Sequence, residues 1–263
     1  TFVSGKLVHS DARVAMDLVA MTDIQAKHVK NLIGFAPKVA AGKRGGLTKW
    51  LLPGTRIFVS GQAVRADTVR EAARRTLEQL GKTLEYLGLS RTNVVQVKSF
   101  LQPMTAAEDV SEEIGRWMGR SQSPPQVFVE WISSNPIEIE LVVNGGPARA
   151  EGDAVEFLTP PGMKASPVFT RVVRVNRGKL VFTSSLTGPT DQGTDFEIRQ
   201  IFGEVEDSMR IFRSDMKHLV KATYFVRTTE GSKALNALRP EFYDPQRPPA
   251  ASKAMVKGVG LPG

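Results

Sequence analysis

The sequence predicts an α+β protein built from tandem units of similar structure. Two segments, which begin near residues 56 and 180, show the same order of strand, helix, strand, helix and proline-rich turn. Corresponding positions stay 124 or 125 residues apart along both segments. Self-similarity at a fixed spacing is the signature of a repeated structural unit. We therefore expect the chain to hold two units of one architecture.

Each unit begins with a short apolar strand that ends in a pair of small residues. Residues 56–61 read RIFVSG and residues 180–185 read LVFTSS, and the first serines of the two pairs are 124 residues apart. An amphipathic helix follows each strand, over residues 69–87 and 198–212, because apolar residues recur there every three or four positions. This spacing places the apolar residues on one face of an α-helix.

A second strand, a second helix and a proline turn complete each unit. The strand and helix are predicted at residues 93–101 and 105–118 in the first unit, and at 218–226 and 229–239 in the second. The turns hold Pro124 and Pro249, which are 125 residues apart. After the first turn, alternation of apolar and acidic residues over 137–142 predicts a half-buried strand.

The two ends of the chain resemble parts of a further unit. Residues 1–8 and 13–20 look like the hairpin that follows the first proline turn, and the second unit stops before its last strand. Glycine and proline clusters mark the linkers. The expected division is a hairpin of a partial or permuted unit at 1–21, a linker at 22–46, a unit at 47–143, a linker at 144–166, and a unit lacking its last strand at 167–263. The pattern fits either a circularly permuted protein or a piece of a longer repeated one.

The composition excludes several classes of protein. The 263 residues are 41% hydrophobic and 24% charged, which is typical of a globular chain. Cysteine is absent, which excludes a disulfide framework, a thiolate metal site and a cysteine nucleophile, and fits the cytoplasmic location that we expect. No apolar run reaches the roughly 18 residues that span a membrane. The formal charge of +8 is scattered rather than gathered in a polybasic block, which disfavours nucleic-acid binding.

The sequence shows no constellation typical of metal or cofactor chemistry. His9, His28 and His218 lie far apart and form no metal-binding motif. The glycines at 42–46 lack the lysine and hydroxyl residue that complete a phosphate loop. The serines at 184–185 have no base nearby in the sequence, so we interpret them as a strand end. We therefore predict no metal and no cofactor.

Both units resemble the Rid family, whose members are also called YjgF-type or L-PSP endoribonuclease-like proteins. The matching pieces are, in order, FVSGQ at residues 58–62, LEYLGL at 84–89, the proline turn, and IEIE at 137–140. The resemblance implies chorismate-mutase-like units, each a mixed sheet with two helices packed on one face. It also implies trimeric packing of such units, with ligand pockets in the clefts between neighbours.

The resemblance further implies an activity and its residues. Active members of the family hydrolyse enamines and imines to ketoacids and ammonia, and an arginine just after the proline turn binds the substrate carboxylate. Here that position holds Gln126 in the first unit and Ala251 in the second. A glutamate on the last strand, matched by Glu138, helps to position the attacking water. The pocket residues implied are Ser60, Gly61, Gln126, Glu138, Ser184, Ser185 and Ala251.

The missing arginine points to a divergent protein. Neither Gln126 nor Ala251 supplies a fixed positive charge, and losing a charge-assisted contact costs about 1.5–3 kcal/mol. We therefore expect a small-metabolite binder with weak or absent deaminase activity. Two alternatives stay open: an imine or enamine hydrolase with altered recognition, to which Arg171 or Lys49 contributes charge, and an RNA-binding or endoribonuclease-type protein.

The expected partners follow from the same resemblance. A trimeric core needs three units, whereas this chain shows about two. We therefore expect a homo-oligomer, or association with a further segment of the same gene product, together with a small-molecule ligand and no membrane.

Overall fold

The computed structural model of the chain describes residues 3–6, 51, 53–119, 123–183, 185–189 and 191–259. The strands are β1 Val3–Ser4, β2 Arg56–Gln62, β3 Val94–Leu101, β4 Gln126–Glu130, β5 Ile137–Asn144, β6 Val155–Leu158, β7 Val172–Val175, β8 Lys221–Val226, β9 Ala250–Met255 and β10 Gly258–Val259. The helices are α1 Val69–Tyr86, α2 Ala107–Met118, α3 Thr194–Ile211 and α4 Thr229–Phe242.

The largest sheet is mixed and has six strands in the order β4–β3–β5–β2–β7–β6. Strands β3 and β4 run parallel, and the other neighbours run antiparallel. Four strands come from the first predicted unit, while β6 and β7 come from the chain beyond it. The sheet therefore joins both halves of the sequence, with β7 hydrogen-bonded directly to β2.

Helices α1 and α2 cover one face of this sheet. The Thr68 side chain caps α1 by accepting a hydrogen bond of 3.2 Å from the backbone N–H of Glu71. The helix ends at Tyr86, and Gly88, two residues later, has a φ of 71° that few residues other than glycine adopt readily. The apolar stripe that predicted α1 is buried against the sheet, including Leu77, Leu80 and Leu84. Burial of that stripe is what positions the helix on the sheet.

Helices α3 and α4 pack on a separate two-stranded parallel sheet, β8–β9. Their small core centres on Phe202, whose ring stacks on Phe242 at 4.4 Å and meets the edge of Tyr243 at 5.7 Å. Only Ile198 and Phe202 of α3 are fully buried. This half is therefore packed less completely than the first.

The two sheets meet through the faces that carry no helices. Phe100 of β3 and Trp131, just after β4, are buried together with Ala254 of β9 and Val256. The backbone N–H of Ile132 also donates a 2.7 Å hydrogen bond to the carbonyl of Met255. The described residues thus form four layers: helices, the six-stranded sheet, the two-stranded sheet and helices.

The predicted α+β class is confirmed, as is a mixed sheet with two helices on one face. The tandem arrangement holds only in part, because the strand predicted at 180–185 does not form over Leu180–Thr183. In the first unit the corresponding strand β2 pairs with β5, and the described part of the second unit holds no strand equivalent to β5. Phe182 is consequently 72% exposed.

The segment 144–166 differs from the linker that its glycine and proline content predicted. It contains β6, which pairs antiparallel with β7 at the edge of the large sheet. Val155 of this strand is buried. Burial of the apolar residues of β6 therefore favours a strand here, although the flanking glycine and proline residues predicted a linker. The other proposed unit boundaries stay predictions.

Several predictions lie outside the described residues, including the strand at 13–20, the linker at 22–46, His9, His28, Lys49 and Ser184. From the N-terminal hairpin the structure describes residues 3–6, of which β1 pairs antiparallel with β10. Within the described parts of the chain, no helix is both long and apolar enough to cross a membrane.

Candidate functional site

The site is built on an irregularity in strand β2. Val59 pairs with Leu141 and Gln62 pairs with Ile139, so that Ser60 and Gly61 together face the single residue between those partners on β5. This is a β-bulge, a feature that often re-aims side chains beside functional sites. It coincides with the Ser-Gly pair that the sequence pattern singled out.

Glu138 of β5 lies directly over this bulge. A Cβ atom added to Gly61 would overlap the carboxyl end of the Glu138 side chain. Only a glycine at position 61 therefore lets Glu138 occupy its present position. Sequence resemblance assigned both residues to one pocket, and the structure brings them into contact.

We expect Gly61→Ala to displace Glu138 and to destabilise the fold by about 1–3 kcal/mol, as overpacking of buried sites does. Urea denaturation measures the loss. Gly115→Ala in α2 is the matched control, because a Cβ there meets nothing within 4 Å. An unchanged unfolding midpoint for Gly61→Ala would show that the position of the Glu138 side chain does not require glycine at position 61.

The second half of the chain closes the site through strand β9. The backbone N–H of Ala251 donates a 2.9 Å hydrogen bond to Ser60 Oγ, and Ser60 Oγ in turn donates to the carbonyl of Thr170. Ser60 is fully buried. Ala251, one of the two positions where the family places its arginine, thus meets the bulge through its backbone.

Burial raises the pKa of Glu138 to about 7. The hydroxyl of Ser252 lies close enough to favour the ionised form, although it makes no hydrogen bond of normal geometry. Glu140 opposes ionisation by like charge, while Lys221 and Arg171 favour it. A carboxyl group that titrates near neutral pH can take up and release protons, the property that general acid–base chemistry requires.

Glu140, two residues further along β5, is held in its charged form. Its carboxylate lies 2.6 Å from the Nζ of Lys221 and 3.5 Å from the Nζ of Lys98. Burial alone would raise its pKa, but these two ammonium groups lower it below the usual value. Because Lys221 belongs to β8 and Lys98 to β3, the cluster ties the two halves of the protein together.

The structure brings together Ser60, Gly61, Glu138 and Ala251, but not the other predicted site residues. Gln126 lies at the start of β4, three strand positions from β2, and its Oε1 is buried without a partner among the described residues. Ser185 is exposed outside any strand. The prediction for Ser185 assumed that the second unit repeats the first, and the strand that would lead to Ser185 does not form over Leu180–Thr183.

Sequence reasoning missed Lys221, Ser252 and Lys253. Lys221 was readable as the only charged side chain within an otherwise apolar strand, a placement that usually signals a buried partner. Ser252 and Lys253 had no such signal, because their proximity to Glu138 depends on contacts between distant parts of the chain. Among the described residues no cluster of three or more acidic or histidine side chains is placed to hold a metal ion.

An open cleft lies elsewhere, at the far end of β4. Its volume is about 520 Å³, and it is lined by residues that include Lys6, Gln102, Glu130, Trp131, Ile132 and Lys257. Glu130 accepts a 2.7 Å hydrogen bond from the backbone N–H of Lys6. None of the predicted site residues lines this cleft, so the acidic site and the cleft are separate features.

Comparison with known proteins assigns the first unit. Residues 42–144 match the family model described as Endoribonuclease L-PSP. This segment is therefore similar to the Rid/L-PSP family. The family suggested by the sequence pattern is therefore confirmed, over a segment that contains the bulge and Glu138.

Solved structures of Rid/YjgF family members are similar to parts of this chain. The YjgF gene product of Escherichia coli is 21% identical, and the match covers 40% of this chain and 90% of that one with a TM-score of 0.33. A YjgF/YER057c/UK114 family member from Mycobacterium tuberculosis is 20% identical, with coverages of 35% and 80% and a TM-score of 0.33. A candidate endoribonuclease from Thermotoga maritima is 29% identical, with coverages of 40% and 88% and a TM-score of 0.32. A comparison with curated proteins found no match.

Proposed function

We propose that this protein, whose first unit is similar to the Rid/L-PSP family, binds a small metabolite beside Glu138, where strands of its two halves meet, and has weak or absent enamine or imine deaminase activity. The observation that carries the proposal is the pairing of a protonatable, mostly buried carboxyl group with an arginine position that holds alanine. An acid–base group is present, but the usual carboxylate clamp is not.

The acid–base half of the site supports binding of a polar ligand. Glu138 sits on a bulge whose neighbouring hydroxyls, Ser60 and Ser252, both come from buried positions. Buried polar groups are normally hydrogen-bonded, yet Ser252 Oγ has no partner of normal geometry among the described residues. A small polar molecule beside Glu138 would satisfy it.

The arginine positions support weak deaminase activity. Ala251 approaches the site by its backbone, and its methyl group can neither attract nor orient an anion. Gln126 is remote from Glu138 within one chain. At the positions matched to the family's arginine, a substrate carboxylate would gain no bidentate partner, which costs free energy in a low-dielectric site.

An ammonia-release assay on 2-aminoacrylate tests this proposal. We expect wild type and Glu138→Gln to release ammonia at the same slow rate, because no arginine stands at the family's position to orient the reacting carbon against the acid. Robust wild-type turnover that Glu138→Gln abolishes would overturn the weak-activity proposal. It would favour the alternative of an active hydrolase with altered recognition.

A gain-of-function variant provides a second test in the same ammonia-release assay. The family resemblance implies pockets between neighbouring copies, so Gln126→Arg would return the family residue to such a pocket in the proposed oligomer. We expect the rate to rise by about tenfold or more, the value of one charge-assisted contact. Gln126→Lys is the matched control, because it adds charge without the planar fork. Equal rates for wild type and Gln126→Arg would show that the arginine is not what the site lacks.

A further inference from the structure

Arg171 lies at the candidate site although its sequence position precedes any family motif. It is the residue before β7, and its carbonyl accepts a 3.0 Å hydrogen bond from the backbone N–H of Ser60. The next residue, Val172, packs into the core under the helices. Side chains alternate along a strand, so Arg171 projects from the opposite face, which is the face that carries Glu138.

The Arg171 side chain is held in place from two sides. Its Nε donates a 3.2 Å hydrogen bond to the carbonyl of Lys164, and its guanidinium carbon lies 4.7 Å from the centre of the Phe169 ring. Its two terminal nitrogens make no hydrogen bond or ion pair within the described parts of the chain. A fixed guanidinium with free terminal donors is suited to bidentate binding of a carboxylate.

The other cations near the acidic pair have their donors engaged. Lys221 donates to Glu140 at 2.6 Å. Lys253 donates to Ser232 Oγ at 2.8 Å and to Asn236 Oδ1 at 3.0 Å. Among the described cations that influence Glu138, Arg171 therefore has the free donors needed to bind an anion.

We propose that Arg171 is the carboxylate-binding residue of this site, in place of the arginine that the family carries after its proline turn. The inference rests on the proposed binding function and specifies its ligand as a small carboxylic acid. It moves anion recognition from Ala251 of β9 to the residue before β7, whose neighbour Thr170 forms a β-bridge with Ala250. Glu138, with its proton, then faces the ligand that Arg171 holds.

Ionisation of Glu138 affects this binding. The charged groups around it are Glu140 on the same strand, Lys221 on β8, Lys253 on β9 and Arg171 itself. With both acids ionised, the site presents two negative charges to an incoming carboxylate. Protonation of Glu138 removes one of them, so a carboxylate is expected to bind more tightly at pH 6 than at pH 8.

Calorimetric titration with pyruvate and with its neutral analogue pyruvamide tests the proposal. We expect wild type to prefer pyruvate by about tenfold or more, and Arg171→Gln to lose that preference. Arg171→Lys keeps the charge but not the fork, and should retain part of the preference. Lys164→Gln is the matched control: it removes a charge from the same loop while leaving the backbone carbonyl that orients Arg171. Thermal unfolding of each variant shows whether it is folded.

The outcomes separate this inference from the function on which it rests. Loss of the pyruvate preference in Arg171→Gln, with retention in Lys164→Gln, supports both. Binding of pyruvate that Arg171→Gln leaves unchanged overturns the role of Arg171 while the small-ligand function stands. If folded wild-type protein binds neither pyruvate nor pyruvamide, the proposed function fails as well. If Arg171→Gln and Lys164→Gln both lose the pyruvate preference, the preference reflects the total positive charge of this loop. That result would overturn the assignment of Arg171.

Discussion

Glu138→Gln should stabilise the protein at pH 8 by up to about 3 kcal/mol and leave its stability at pH 4 nearly unchanged. The carboxyl ionises near 4.5 in an ordinary environment and at about 7 in the folded protein. Between these values the folded state binds more protons than the unfolded state, so stability falls as pH rises. Above pH 7 the destabilisation is complete and constant. Glutamine at this position cannot ionise, so the variant does not undergo this loss of stability.

Urea denaturation of both proteins between pH 4 and pH 8 measures this effect. In the difference in unfolding free energy between wild type and Glu138→Gln, the contributions of the other titrating groups cancel to first order. Glu85→Gln on the exposed surface of α1 is the matched control. If the difference between wild type and Glu138→Gln stayed the same at every pH, Glu138 would not have the raised pKa on which its acid–base role depends.

Lys221→Met should destabilise the protein by roughly 3 kcal/mol, the effect of removing one partner of a buried ion pair. Glu140 would keep only Lys98 at 3.5 Å, while its side chain is 6% exposed and cannot recruit much water. Lys98→Met should have a smaller effect, since the shorter 2.6 Å contact with Lys221 remains. Comparison of the two variants thus shows which lysine contributes more to stability through its contact with Glu140.

Equilibrium unfolding at pH 7 gives the ranking. Lys82→Met provides the control, because Lys82 is an exposed residue of α1. Lys221 also joins β8 to the large sheet, so its loss should weaken contact between the two sheets as well as the ion pair. Equal effects of Lys221→Met and Lys82→Met would show that the cluster does not hold the two halves together.

Local signals in the sequence predicted the first unit well. Helix α1 was predicted from its apolar stripe, and in the structure the Thr68 side chain caps its start and Gly88 follows its end. The bulge residues and Glu138 were found through a motif whose members lie on two adjacent strands. In such cases local preference and tertiary packing favour the same structure.

Contacts between distant parts of the chain were not predictable. The Lys221–Glu140 pair joins residues 81 positions apart, and Arg171 reaches the site because β7 pairs with a strand of the other unit. The predicted strand at 180–185 failed for the same reason. Its apolar pattern matches that of β2, but β2 pairs with β5, and the described part of the second unit holds no strand equivalent to β5.

The pairing of β2 with β7 also has a consequence during synthesis of the chain. The end of β2 at residue 62 precedes the start of β7 at residue 172 by 110 residues. At roughly 5–20 residues per second, a ribosome needs about 5–20 s to add them. Throughout that interval one edge of an apolar strand stays unpaired, and such an edge can template pairing with other chains. The nascent protein is therefore most prone to aggregate before its second half emerges, at a stage that the stability of the finished fold does not reveal.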